Sequence, residues 1–119
     1  MRLAIKQAQW APHDKWRVGA VLVRGGSVIS TGYNRYRNHP AQVNLEGISY
    51  HAEEACIMKA GDPHGATIYV ARITKSGLLG MAKPCVRCQE LLLSNGVRAV
   101  VYTTPTEIIK LRSLYELDV

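Results

Sequence analysis

Apolar and β-branched residues gather into four runs along the chain. Val18 to Val23 and Val28 to Tyr33 are separated by Gly25-Gly26-Ser27, the signature of a hairpin. Ala66 to Ala71 forms a third strand, and Val97 to Tyr102 a fourth whose nearly continuous apolar character predicts burial on both faces. Helical spacing recurs between these runs. Leu3 to Trp10 reads as a short amphipathic helix with Leu3, Ala4, Ile5 and Ala8 inward, stopped by Pro12. A second helix is predicted from about His51 to Ala60, capped by Ser49 and ended by Gly61 with Pro63 beyond. A third runs from Pro84, suited to the first helical position, to Ser94, closing at Asn95-Gly96. Asn34 to Ile48 is polar and reads as a long loop, and residues 72 to 83 as an irregular stretch able to form a small hairpin. Past Pro105, Ile108, Ile109, Leu111 and Leu114 fit either a helix or a strand.

The predicted order is α-β-β-α-β-α-β. The helical crossover between the last two strands requires them to be parallel, with a right-handed connection. An α/β fold with a mixed sheet and helices on both faces follows. No repeat, low-complexity run or Pro/Gly/Ser linker divides the chain, so residues 1–119 are expected to form a single domain.

Composition agrees with a folded domain. The 119 residues are 47% apolar and 20% charged, enough to bury one core without staples. No apolar run approaches a membrane span, and Lys6, Gln7 and Gln9 interrupt what a secretory leader would need to be apolar. Three cysteines, an odd count, suit a reducing compartment, and the expected location is the cytoplasm. The formal charge of +6 is unevenly spread. Residues 15 to 45 carry Lys15, Arg17, Arg24, Arg35 and Arg37 without an acid, and residues 63 to 89 carry Arg72, Lys75, Lys83 and Arg87 in the same way. Such runs favour anionic ligands, phosphates above all, although ordinary solubility charge on solvated faces gives the same excess.

Two short segments carry chemistry: His51-Ala52-Glu53 and Pro84-Cys85-Val86-Arg87-Cys88, each opening a helix. Cysteines three apart at a helix start turn both sulfurs to one side, as a tetrahedral metal requires. One imidazole and two thiolates suit Zn²⁺, and three ligands leave the fourth position for water, as catalytic sites do. A structural site would need a fourth protein ligand. Cys56 is the nearest candidate, but it lies five helical residues from His51 and points elsewhere, so it reads as a small buried hydrophobe. Glu53 can serve as the proton carrier if its helix begins at the motif.

The paired motifs resemble those of the zinc-dependent cytidine and deoxycytidylate deaminase superfamily, in which the glutamate is not a ligand. The resemblance extends to Val18-Gly19-Ala20-Val21 and to Ser30 through Asn34, and covers roughly residues 15 to 104. It implies a three-layer α/β/α fold with a mixed central sheet of about four to five strands. It also implies that His51, Cys85 and Cys88 hold Zn²⁺ while Glu53 carries protons as water replaces the amino group of cytosine, leaving uracil and ammonia. Oligomers are common in such enzymes, and the apolar Val100-Val101-Tyr102 with Ile108, Ile109, Leu111, Leu114 and Leu117 would supply an interface; ordinary core packing is the alternative.

A histidine first ligand resembles the deoxycytidylate, tRNA-adenosine, guanine and polynucleotide branches, and the string His51-Ala52-Glu53-Glu54, with Gly32-Tyr33-Asn34 upstream, looks most like the deoxycytidylate one. By that resemblance Asn34 meets the sugar or base edge, and the Ala52 and Cys85 backbones meet the pyrimidine; Asn34 could equally just end a strand. No second Cys/His group is present for a regulatory zinc, and the basic stretch 72 to 83 is extra chain ahead of Pro84 that would lie at the mouth of the site. Arg35, Arg37, Arg72 and Lys75 are placed to clamp the phosphate of a cytosine mononucleotide such as dCMP. The same residues could instead track single-stranded DNA or RNA, with a tyrosine stacking on a base. An adenine- or guanine-type deaminase and a non-catalytic zinc-binding adaptor are the further alternatives.

Overall fold

The computed structural model describes residues 1–12, 17–36 and 49–111. Its first element is helix α1 (Arg2–Gln9), followed by the hairpin β1 (Arg17–Arg24) and β2 (Ser27–Tyr33). Two short strands, β3 (Arg35–Tyr36) and β4 (Ser49–Tyr50), pair with each other ahead of α2 (Ala52–Ala60). Strand β5 (Thr67–Ile73) turns back as β6 (Leu79–Gly80), and α3 (Val86–Ser94) leads to β7 (Ala99–Thr103) and β8 (Ile108–Leu111). The main sheet runs β2-β1-β5-β7-β8, with β6 added on β5. Among the described strands only β5 and β7 pair in parallel, joined through α3 as the crossover rule demands.

Side-chain alternation along the strands sorts the core into two layers. Ala20, Leu22, Ile68, Val70, Val100 and Tyr102 face the layer that holds α2 and α3, together with Ala52, Cys56 and Leu92. Val21 and Ala71 face the other way and pack on Ala4 of α1. Helices therefore cover both faces, in the three-layer α/β/α arrangement expected. Every residue of β7 is buried, as its unbroken apolar run predicts. Leu22, Ile68, Leu92, Val70 and Val100 are the large side chains sealed inside, each worth about 1.5–3 kcal/mol of burial.

Two glycines set how closely the helices approach. A Cβ on Gly19 would collide with backbone atoms of Ala4 and Ala8 in α1. One on Gly32 would stand 2.8 Å from Ala55 Cβ, 2.9 Å from Ala52 O and 3.0 Å from Cys56 N, all in α2.

The structure corrects several expectations. Leu3 is 37% exposed, while Ala4 and Ala8, buried, and Ile5, partly buried, bring α1 against the sheet. Ser49 lies in β4 and the N-cap of α2 is His51 itself. Pro84 precedes α3, whose N-cap is Cys85; the Gln89 side chain donates to Pro84 O (2.8 Å) and the Gln89 amide to Cys85 O (2.8 Å). The stretch after Asn34 is a short ribbon at its two ends, and the segment after Pro105 is a strand, held because β7 offers it an open edge. Val100, Val101 and Tyr102 are buried within this chain, so they cannot supply an interface between copies. Leu114 and Leu117 lie outside the described residues.

Candidate metal centre and active site

Three donor atoms meet where α2 and α3 begin. His51 Nδ1 is 3.2 Å from Cys88 Sγ and 3.7 Å from Cys85 Sγ, and all three lie within 4.8 Å of one another. Each arrives by a local rule of the chain. His51 and Cys85 are N-caps with extended backbone (φ −75°, ψ 155° and φ −70°, ψ 168°), so each leaves its helix start pointing outward from the axis. Cys88 follows one turn into α3 on the same side.

The donor set fits zinc. Bond lengths of about 2.3 Å to sulfur and 2.0 Å to nitrogen at a tetrahedral angle put N and S about 3.5 Å apart, between the two separations seen. Cys88 is buried and Cys85 exposed, so the centre is closed on one side and open on the other. Without metal, burial pushes the Cys88 thiol upward, with Glu53 and Cys85 adding to the effect. Metal binding must therefore displace a proton there. Cys56 is outside the group: fully buried, it sits 4.0 Å from Ser30 O, and burial pushes its thiol up to about 12.

Glu53 lies one residue into α2 and is only 5% exposed. Burial is the largest influence on its carboxyl and raises it from 4.5 to about 7, with Glu54 adding to the rise while its backbone hydrogen bond, the Cys88 thiol and Arg87 oppose it. In the metal-free protein this places its proton exchange near neutrality.

Comparison with known proteins agrees with this geometry. Residues 1–104 match the model of the cytidine and deoxycytidylate deaminase zinc-binding region. The chain belongs to that family. Among curated relatives it is 30% identical over 111 residues to a chloroplastic tRNA(adenine(34)) deaminase of Arabidopsis thaliana, covering 92% of this chain and 8% of the relative. It is also 30% identical over 122 residues to the deoxycytidylate deaminase of Schizosaccharomyces pombe, covering 87% of this chain and 35% of the relative. The chain thus spans about a third of that yeast protein and less than a tenth of the plant one. Among solved structures it resembles a cytidine deaminase from Burkholderia pseudomallei with TM-score 0.72 and 25% identity, covering 98% of this chain and 91% of that one. The cofactor that this family and this donor set point to is Zn²⁺.

In this family member a cavity of about 310 Å³ opens beside the trio, lined by Val18, Asn34, His51, Ala52, Glu53, Arg72, Met81, Ala82, Lys83 and Cys85. It sits past the C-terminal end of β5, where the sheet gives ligand-sized space. Thr103, fully buried, shapes that end: its Oγ accepts from the Arg72 amide (3.1 Å) and donates to Gly80 O (2.8 Å). The Ala82 amide donates to Thr103 O (2.9 Å), fixing the chain just before Pro84. Arg72 continues the parity of Ile68 and Val70 and so emerges on the α2 side, where the core ends and the cavity begins.

Asn34, Ala52 and Arg72 therefore line the cavity. Asn34 also prolongs the hairpin, its Oδ1 accepting from the Val18 amide (2.8 Å) and its amide donating to Val18 O (3.1 Å), so it ends a strand and faces the site at once. Lys75 does not line the cavity: it is exposed in the turn between β5 and β6, one residue past the bend that Thr74 forms with Leu78. Arg35 has its backbone in β3, its side chain being outside the described set, and Arg37 lies outside the described residues altogether. Val18 was not anticipated as a cavity residue, whereas Met81 and Lys83 belong to the basic stretch 72 to 83 expected at the mouth of the site and do line it. Lys83 carried one signal, its place in the unopposed basic run directly before the cysteine motif.

Proposed function

We propose that this chain is a zinc-binding deaminase domain over residues 1–119 that hydrolyses the amino group of cytosine on a mononucleotide such as dCMP. The observation that carries the reading is the composition of the cavity wall: among the described residues, the acid beside the His51, Cys85 and Cys88 donors is the buried Glu53, and Arg72 and Lys83 supply positive charge. In this reading His51, Cys85 and Cys88 are the ligands, and the zinc they hold supplies Lewis-acid activation of water. Glu53 takes one proton from the water that adds to the amino-bearing ring carbon and delivers it to the ring nitrogen, then takes the second from the hydroxyl so formed and passes it to the amine, whose C–N bond breaks to release ammonia as the uracil carbonyl forms. Burial of Glu53 supports this role, because a proton acceptor shielded from solvent passes its proton to the substrate rather than to bulk water. The walls around Ala52, Val18 and Ala82 take a flat ring, while Asn34 meets the sugar or base edge and Arg72 with Lys83 meets the phosphate. The three free cysteines suit the cytoplasm.

Deoxycytidylate is the substrate named for the yeast relative, and tRNA adenine for the plant one. The test compares ammonia release from dCMP, CMP, deoxycytidine, and single-stranded oligonucleotides containing cytosine or adenine, with Glu53→Ala as the blank. Turnover of dCMP at least 10-fold better than deoxycytidine is expected, with Arg72→Gln removing most of that preference. Turnover of an oligonucleotide alone would reassign the basic wall to a strand; turnover of none would point to a guanine-type substrate or to the adaptor.

A further inference from the structure

One carboxylate oxygen joins the two helix starts that carry the metal donors. Glu54 Oε1 accepts from the backbone amide of His51 (3.0 Å) and from Arg87 Nη2 (2.7 Å). His51 is one metal donor, and Arg87 sits between the other two, Cys85 and Cys88. The Glu54 side chain is 15% exposed and the Arg87 side chain 51%, so the carboxylate is held inward while the guanidinium reaches over it from outside.

Two features show that this is not ordinary surface pairing. Arg87 lies in the first turn of α3, where a cation opposes the helix dipole and where no acidic residue precedes or accompanies it. A positive charge at that position is unfavourable for α3 taken alone and becomes favourable only through the carboxylate delivered by α2. Glu54, in turn, stands at the third position of α2, where its contact with the His51 amide fixes the cap residue whose imidazole is the donor. The link ties the backbone that carries the imidazole to the helix that carries both thiols, and so adds to the direct approach of His51 Nδ1 to Cys88 Sγ (3.2 Å).

We propose that Glu54 and Arg87 are positioning residues that hold His51 in register with Cys85 and Cys88 before the metal arrives. The inference rests on the zinc site described above and not on the substrate, so it stands or falls without any turnover measurement. Preorganisation of this kind acts on metal affinity, because ligands already spaced for the ion lose less freedom when they bind it.

The test measures Zn²⁺ affinity by competition with a chromophoric chelator for wild type, Arg87→Ala, Arg87→Lys, Glu54→Ala and the double Ala variant, with thermal unfolding of each metal-free protein alongside. The expected result is a loss of affinity of about 10-fold or more for Arg87→Ala, partial recovery with Arg87→Lys, and a double variant no weaker than the worse single one. Metal-free unfolding of Arg87→Ala should stay near wild type, since the side chain is half exposed. Cobalt substitution gives an independent readout: broadened thiolate-to-metal absorption in Arg87→Ala is expected. Affinity within threefold of wild type in Arg87→Ala overturns the proposal, and so do additive losses in the double variant. Should Glu54→Ala fail to fold, Arg87→Ala and Arg87→Lys decide the matter by themselves.

Discussion

Gly32→Ala should loosen the fold and the metal centre together, because β2 at this point touches the helix that begins with His51. The added Cβ would lie 2.8 Å from Ala55 Cβ, 2.9 Å from Ala52 O and 3.0 Å from Cys56 N, against ordinary contacts near 3.4–4 Å. Two of the three obstacles are backbone atoms, so no rotamer change relieves them and α2 has to retreat by roughly half an ångström or more. Overpacking of this sort costs about 1–3 kcal/mol, and replacing a strand glycine returns roughly 0.5–1. A net loss of about 1–2 kcal/mol is therefore expected, a fall in Tm of roughly 5–10 °C for a chain of this size. The same retreat carries His51 away from Cys88, now 3.2 Å from its Nδ1, and should weaken Zn²⁺ binding about 10-fold.

Gly19→Ala is the internal control. Its Cβ would strike the backbone of Ala4 and Ala8 in α1, on the opposite face of the sheet, and α1 carries none of the donors. It should destabilise at least as much while leaving the zinc affinity of the folded protein within a few-fold of wild type. Thermal unfolding and chelator competition on the two variants settle the question. A Gly32→Ala protein with wild-type Tm and affinity, or a Gly19→Ala protein that loses zinc as badly, would refute the argument that helix approach at Gly32 sets donor spacing. Adding Ala55→Gly to Gly32→Ala should recover only part of the loss, since it removes one obstacle of three.

Two further predictions concern buried groups. In metal-free protein the folded Glu53 carboxyl sits near 7 rather than 4.5, so between those pH values the unfolded chain releases this proton while the folded chain keeps it. Stability should then fall as pH rises across that window, by about 3 kcal/mol in all, and urea unfolding in chelator should show Glu53→Gln without that part of the slope. Cys56, whose thiol is held near 12 by burial, should stay unmodified by a thiol reagent at pH 8 until the chain unfolds, whereas the exposed Cys85 should react once zinc is removed. Counting modified thiols before and after chelation, by mass, checks this; early labelling of Cys56 contradicts it.

What could be read from the chain in advance was whatever depends on short spacing. His51 with Glu53, and Cys85 with Cys88, are fixed relative to one another by two or three residues of helix start, so their chemistry is local. The parallel pairing of β5 and β7 was legible for a similar reason, because a helical crossover permits little else. Contacts made between distant segments were not. The meeting of Glu54 with Arg87 depends on how far α2 and α3 slide along the sheet, which no periodicity encodes. The stretch 72 to 83 was expected at the mouth of the site, but not the hydrogen bonds by which Thr103 holds Gly80 and Ala82 at the end of β7, on either side of Met81 and ahead of Lys83. Ser49 looked like a cap because it is a serine before a helix; pairing with β3 claimed its backbone first, and His51 became the cap instead.

That last displacement matters for the chemistry. A histidine makes an indifferent N-cap compared with serine, threonine, asparagine or aspartate. Placing one there, with extended backbone, turns its imidazole out of the helix toward the second cap residue, Cys85, while the next turn of α3 delivers Cys88. The same choice puts Glu53 in the first turn of α2, inside the wall of the cavity and next to the donors, where burial can hold its proton. Histidine thus takes the cap position of α2, where Glu54 closes a capping box through the His51 amide, and cysteine takes that of α3, so the two helix starts face each other across the space a metal ion fills. The sheet beneath them adds to the stability of both helices through the close approach at Gly32 and the sealed side chains of Cys56 and Leu92.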